Sequence, residues 1–336
     1  MVMNGRRIAA LLEVCGVSLT GPLLMWGLRR LVGVSVTNPL TSLSAHASNA
    51  ELITASRQMF VLLIFQYAGY FLLIIPINWW HRRRGAAAYG LTRAGHSWKM
   101  LILAGLGVAA LSAWPALGLN LVNSLHPSET VPWRQALFNM SWRRWEFWLF
   151  SGVMSWALVP VLEELFFRGY CLRRLSEDWG DGPAILGAAC LFTFAHTQYL
   201  IPNAYSVGMV VSLLTLAVGF GVVFAWTRSL IPSIIAHAII NVLMTPVWQA
   251  ALLVAFMIGV FVSWPRGVTT FRHVFSNASA AACVILAFAG AAWAIMAARD
   301  EPAVYVVAVG AVIIAIGLEA MDRRRTRIAT KVPMSA

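Results

Sequence analysis

The chain is divided into ten long apolar runs, and that pattern decides what it can fold into. The runs are approximately Ile8–Leu28, Met59–Trp80, Leu101–Val122, Phe147–Phe167, Ala184–Leu200, Ser206–Trp226, Leu230–Val247, Ala250–Trp264, Ala280–Ala297 and Ala303–Ala320. A membrane-spanning helix needs ~20 mostly apolar residues. The eighth and ninth runs are short, so about 8–10 spans are expected. Backbone groups in lipid must be satisfied within the segment, which leaves helices or closed barrels. Barrel strands alternate apolar and polar residues, and these runs do not. The expected fold is therefore all-α, a polytopic transmembrane helix bundle. With 60% hydrophobic and 11% charged residues, the chain lies far from the roughly 25% charge of a soluble domain.

Cationic residues set the orientation. If the N-terminus is cytoplasmic and every run crosses, inner segments hold 18 of the 25 Lys and Arg. That bias places both termini in the cytoplasm by the positive-inside rule. The net charge of +12 then reflects inner loops facing anionic lipid, and no nucleic-acid partner is needed. Only Lys99 and Lys331 among the basic residues are lysines, which points to a GC-rich bacterial genome and a bacterial cell membrane. The first apolar run exceeds the ~7–15 residues of a signal peptide core, so it reads as a retained span. Within it, Glu13 lies near the inner end, in reach of Arg6 or headgroups.

Three segments follow from this layout. Residues 1–144 carry about three N-terminal spans. Residues 145–247 carry the polar residues discussed next. Residues 248–336 carry further spans and a basic cytoplasmic tail. The longest polar segments, Val32–Gln58 and Asn123–Glu146, are expected outside. Cys15, Cys171, Cys190 and Cys283 are scattered and read as small hydrophobes, with no disulfide or zinc spacing.

Two adjacent acids, Glu163 and Glu164, interrupt the fourth run. An ionised side chain at membrane depth costs ~2.5–3.5 kcal/mol on insertion scales, and such residues mark functional sites by default. Residues four apart share a helix face, so Glu164 and Arg168 are expected to pair. Glu163 is rotated ~100° from Glu164 and is freer to face a cavity. The fifth run contains Phe192 and His196, and the seventh contains His237 and Asn241 on one face. A His/Asn pair in an apolar helix either joins helices by hydrogen bonds or offers donors to a developing oxyanion.

Taken together, Glu163-Glu164-x-x-x-Arg168, Phe192-x-x-x-His196 and His237-x-x-x-Asn241, in that order on successive apolar runs, resemble the CAAX protease and bacteriocin-processing family. That family includes the type II CAAX prenyl endopeptidases. The resemblance implies a catalytic core of four helices and an intramembrane glutamic endopeptidase. It implies that Glu163 and His196 activate a water, and that His237 and Asn241 bind the oxyanion. Glu164 and Arg168 would support the site and orient a peptide or membrane-anchored protein substrate. No cofactor is implied, with zinc held by the two His and two Glu as the rival. Two other classes stay open: a non-catalytic immunity or partner-binding membrane protein, and a proton-coupled transporter. One difficulty is depth. His196 falls about twelve residues into its run and Glu163 near the inner end of its own. The segment Leu172–Pro183 is expected to dip, or the fifth helix to start deeper, unless the spans are drawn wrongly.

Overall fold

In the computed structural model, residues 5–32, 46–83, 85–111, 117–119, 144–196, 204–242 and 246–275 are described, with isolated positions between them. All regular elements among these residues are helical and none is a strand. They are α1 (Gly5–Val32), α2 (Asn49–Trp80), α3 (Trp98–Leu111), α4 (residues 145–179), α5 (Asp181–Ala195), α6 (Ala204–Thr227), α7 (Ile231–Ile240) and α8 (Pro246–Phe275). Helices α2 and α6 are long and apolar enough to cross a bilayer. The other apolar helical stretches are shorter. The two last expected runs, Cys283 and the basic tail lie outside the described residues.

Several boundaries differ from the hydropathy reading, each for a local reason. Helix α2 begins at Asn49, ten residues before its apolar run. Ser48 and Glu51 form a capping box there: Glu51 N–H donates to Ser48 Oγ, and Ser48 N–H to Glu51 Oε2 at 2.8 Å. Reciprocal capping satisfies two of the donors that a helix start leaves open. The part of the expected outer segment from Asn49 to Gln58 is therefore helical. Helix α7 is shorter than its run, starting after Leu230 with Pro232 in its first turn and ending at Asn241.

The largest difference falls where the depth difficulty arose. Helix α4 does not stop at Phe167 but continues to Trp179. Leu172–Pro183 neither dips nor loops: it is helix, a one-residue turn at Gly180, and helix again. Gly180 has φ +81° and ψ 168°, a conformation nearly closed to residues with a Cβ. Glu163 precedes this turn by 17 residues and His196 follows it by 16. The two arms of the α4–α5 hairpin thus run for nearly the same number of residues from the turn to Glu163 and to His196. The spans drawn from hydropathy ended α4 too early because charged residues follow Phe167.

Those charges are paired across helices. Arg174 donates to Glu13 at 2.8 Å and Asp178 at 2.7 Å, and Tyr170 O–H donates to Glu13 at 3.0 Å. Glu13 therefore joins α1 to α4. Arg83 pairs with Glu177, and Arg228 with Asp181 at 2.8 Å. The main apolar core lies directly beside this belt, with Val14, Tyr70, Phe166, Leu172, Ile185, Ala188 and Phe224 all buried. Helix α3 packs against α7 so closely that a Cβ on Gly105 would stand 2.9 Å from the Pro232 carbonyl oxygen.

Candidate active site

The wall that carries the two acids is irregular for a reason legible in its sequence. Within α4, Trp148–Leu158 and Leu165–Leu172 wind as π-helix, flanking an α-helical Val159–Glu164. Turns of π-helix inside longer helices are frequent at functional sites. In the i→i+5 pattern the Ser155 carbonyl would be bonded by residue 160. That residue is Pro160, which has no N–H. The carbonyl is taken instead by Asn241, whose Nδ2 donates to it at 2.7 Å. A helix defect on α4 is thus closed by a side chain from the end of α7.

Glu164, Arg168 and His237 form the innermost layer. The expected pair forms: Arg168 Nη1 donates to Glu164 Oε1 at 2.9 Å, and both side chains are fully shielded. Arg168 also donates to the Ala217 carbonyl on α6 at 3.1 Å. Its guanidinium lies between two rings, 4.6 Å from the Phe192 centroid and 4.9 Å from that of Phe220. A delocalised cation suits aromatic faces. Phe220 in turn stacks on the His237 imidazole at 5.4 Å. The arginine is built into the core, with its side chain fully buried.

His237 faces both acids. Its Nδ1 stands 3.0 Å from Glu164 Oε1, and Nε2 stands 3.7 Å from Glu163 Oε2. Glu163 is less tightly held than its neighbour. Its Oε2 is buried without a hydrogen-bond partner, and 3.7 Å is too long for one.

His196 caps the C-terminal end of α5, where φ −86° and ψ 57° break the helix. The last carbonyls of a helix lack partners, and the His196 ring bonds one of them. Its Nδ1 lies 2.8 Å from the Phe192 oxygen. A carbonyl only accepts, so Nδ1 carries the hydrogen, and Nε2 has its lone pair when the ring is neutral. Phe192 links the two histidines, its centroid 4.7 Å from the His196 ring and 6.0 Å from that of His237. Among the described residues, Glu163 and His196 share no direct hydrogen bond or ion pair.

The fold thus brings Glu163, Glu164, Arg168 and His237 into mutual contact, ties Asn241 to the same wall, and sets His196 behind Phe192. Phe220 and the Ser155 carbonyl were not found from sequence. Phe220 stands in an apolar helix with no polar neighbour at helical spacing, so nothing local marks it. Pro160, five residues after Ser155, was the available signal for the open carbonyl. Among the described residues no three His, Cys, Asp or Glu side chains are grouped as metal ligands.

Residues 144–243 match the family model described as type II CAAX prenyl endopeptidase Rce1-like. The family resemblance carried by the three motifs holds over this segment, and the family is one of membrane peptidases acting on peptide or protein substrates. No curated protein and no solved structure matches the chain.

Proposed function

We propose, from the match of residues 144–243 to that endopeptidase family, that this chain is a multi-pass membrane glutamic endopeptidase. Its substrate would be a membrane-associated protein or peptide, cut in CAAX-type or other C-terminal processing. The observation that carries this reading is the inequality of the two adjacent acids. Each acid keeps one buried oxygen without a hydrogen-bond partner, but Glu164 is anchored through Oε1 by Arg168 and His237, whereas the nearest ion-pair contact to Glu163 is the 3.7 Å approach of His237. A general base needs an oxygen free to take a proton.

In this mechanism a water lies between Glu163 and the unprotonated Nε2 of His196. Its oxygen bonds to the scissile carbonyl carbon while Glu163 takes its proton. The carbonyl oxygen becomes an oxyanion. Collapse of the tetrahedral intermediate breaks the C–N bond, and the proton passes from Glu163 to the leaving amine. Asn241 has one amide hydrogen left beyond its bond to Ser155, and His237 in its doubly protonated form keeps Nε2–H after donating Nδ1–H to Glu164. Both are assigned to the oxyanion, where preorganised donors commonly contribute 10²–10³ in rate, to order of magnitude. No step draws on a metal or other cofactor.

The outer surface supports a bilayer setting with several helices crossing. Large apolar side chains point outward on α2 (Val61, Phe65, Leu72) and on α8 (Val254, Ile258, Phe261). Apolar surface on this scale marks contact with a membrane or partner. The 18-to-7 bias of basic residues assigns both termini to the cytoplasm.

The test compares wild type, Glu163→Gln and His196→Ala, purified in detergent and offered a quenched peptide library, with and without a strong chelator. Cleavage by wild type alone, indifferent to chelator, is expected. Equal cleavage by all three removes the site assignment, and loss on chelation transfers Glu163 and the histidines to metal ligation.

A further inference from the structure

Helix α6 carries none of the motif residues, yet one of its rings lies flat against His237. Phe220 is fully buried and stands between Gly219 and Gly221. A Cβ on Gly221 would lie 2.8 Å from the Ile185 side chain of α5, and one on Gly219 3.0 Å from that of Leu111 on α3. The two glycines let α6 sit tightly between its neighbours, as apolar helices pack through small residues.

Phe220 grips α7 at two points. Its carbonyl oxygen accepts from Ser233 Oγ at 3.2 Å. Its ring stacks on the His237 imidazole, with centroids 5.4 Å apart and 21° between planes. Ser233 and His237 are four residues apart and so share one face of α7. Phe192 supplies a second wall. It meets Phe220 at 6.5 Å and 89°, and His237 at 6.0 Å and 75°. The imidazole thus lies in a corner between two perpendicular rings. Arg168 packs on both of those rings as well.

A histidine ring turns about its last bond over a broad range. The hydrogen bond between Nδ1 and Glu164 Oε1, at 3.0 Å, pins one edge of it. The stack on Phe220 fixes the plane, and with it the direction of Nε2, which faces Glu163 at 3.7 Å.

We propose that Phe220 is a positioning residue for His237, so that α6 sets the orientation of a ring assigned to the oxyanion. The effect on rate rests on the endopeptidase reading above. Phe220→Leu keeps an apolar side chain and removes the aromatic face. It should lower kcat about tenfold, the rate equivalent of one aromatic pair, with KM near wild type. The control is Phe224→Leu, which removes a buried ring one turn along α6 that packs beside Gly90. Both variants should melt below wild type, and only Phe220→Leu should lose turnover.

The ring contact is read without substrate, by NMR of histidine-labelled protein in detergent. In wild type the His237 ring protons should give through-space cross-peaks to phenylalanine rings and one narrow set of ring-nitrogen resonances. Phe220→Leu should shift and broaden that set, and Phe224→Leu should leave it unchanged. Absence of the cross-peaks in wild type, or a narrow unshifted set in Phe220→Leu, overturns the inference whatever the activity. A broadened set with equal kcat in the two variants overturns the positioning role. Cross-peaks in a wild type that cleaves no peptide retire the endopeptidase reading and leave the Phe220–His237 stack in place.

Discussion

His237 Nδ1 stands 3.0 Å from Glu164 Oε1 while its other nitrogen faces Glu163 at 3.7 Å. One ring therefore separates two consecutive acids into a fixed one and a freer one. Adjacent residues on a helix point ~100° apart, and His237 bridges that angle from α7. The substitutions Glu163→Gln and Glu164→Gln should part accordingly. Glu163→Gln should fold and melt like wild type and lose at least about 10²-fold in turnover. Glu164→Gln should be the less stable protein, since it removes the charge that Arg168 and His237 both bond. Thermal melting of the two purified variants, beside their turnover, checks the split.

Arg168 is fully shielded and holds Glu164 at 2.9 Å. Removing one partner of a buried pair costs ~3–5 kcal/mol because the other is left uncompensated. Arg168→Ala is expected to fail to fold or to melt far below wild type. The double variant Arg168→Met with Glu164→Gln should recover much of the loss. A melting curve for Arg168→Ala that matches wild type would show the pair to be dispensable.

Asn241 bonds a carbonyl that Pro160 cannot serve. Asn241→Ala should lose ~1 kcal/mol of stability through the open Ser155 oxygen, in addition to any effect on rate. Pro160→Ala restores an N–H at residue 160, so the same Asn241→Ala change should then cost less. A double-mutant cycle on melting measures the coupling. Strict additivity would mean that the π-helical defect and Asn241 are independent.

Gly105 has the Pro232 oxygen and Ile235 side chain at 2.9 and 3.0 Å from where a Cβ would stand. Close approach through small residues is how apolar helices pack in the absence of water. Gly105→Ala must push α3 away from α7, at ~1–3 kcal/mol, and α7 carries His237. Lower melting together with lower kcat is expected, whereas Gly107→Ala, with open space around it, should be silent. Equal behaviour of the two variants would contradict the packing.

Glu13 receives Tyr170 and Arg174 and stands 3.4 Å from His81. Glu13→Ala should loosen α1 from α4 without touching the site. Hydrogen exchange is the measurement: amides of Gly5–Val32 should lose protection while those of Asp181–Ala195 keep theirs. Unchanged protection in α1 would mean that packing of Val14 and Val17 alone holds the helix.

The sequence by itself determined the material and the motif residues. Apolar runs of bilayer length, interrupted by Glu163-Glu164, His196 and His237-x-x-x-Asn241, fix an all-helical chain. The i,i+4 geometry that pairs Glu164 with Arg168 is local, so it was legible. What only the tertiary structure decided are contacts between elements distant in sequence. Hydropathy ended α4 at its first charges, because no local rule tells that Arg174 will meet Glu13 from α1 or that Asp181 will meet Arg228. Those pairings accompany the charged end of the helix, which runs on to Gly180. The bond from Asn241 to the Ser155 carbonyl belongs to the same class, since it joins α7 to α4 across 86 residues.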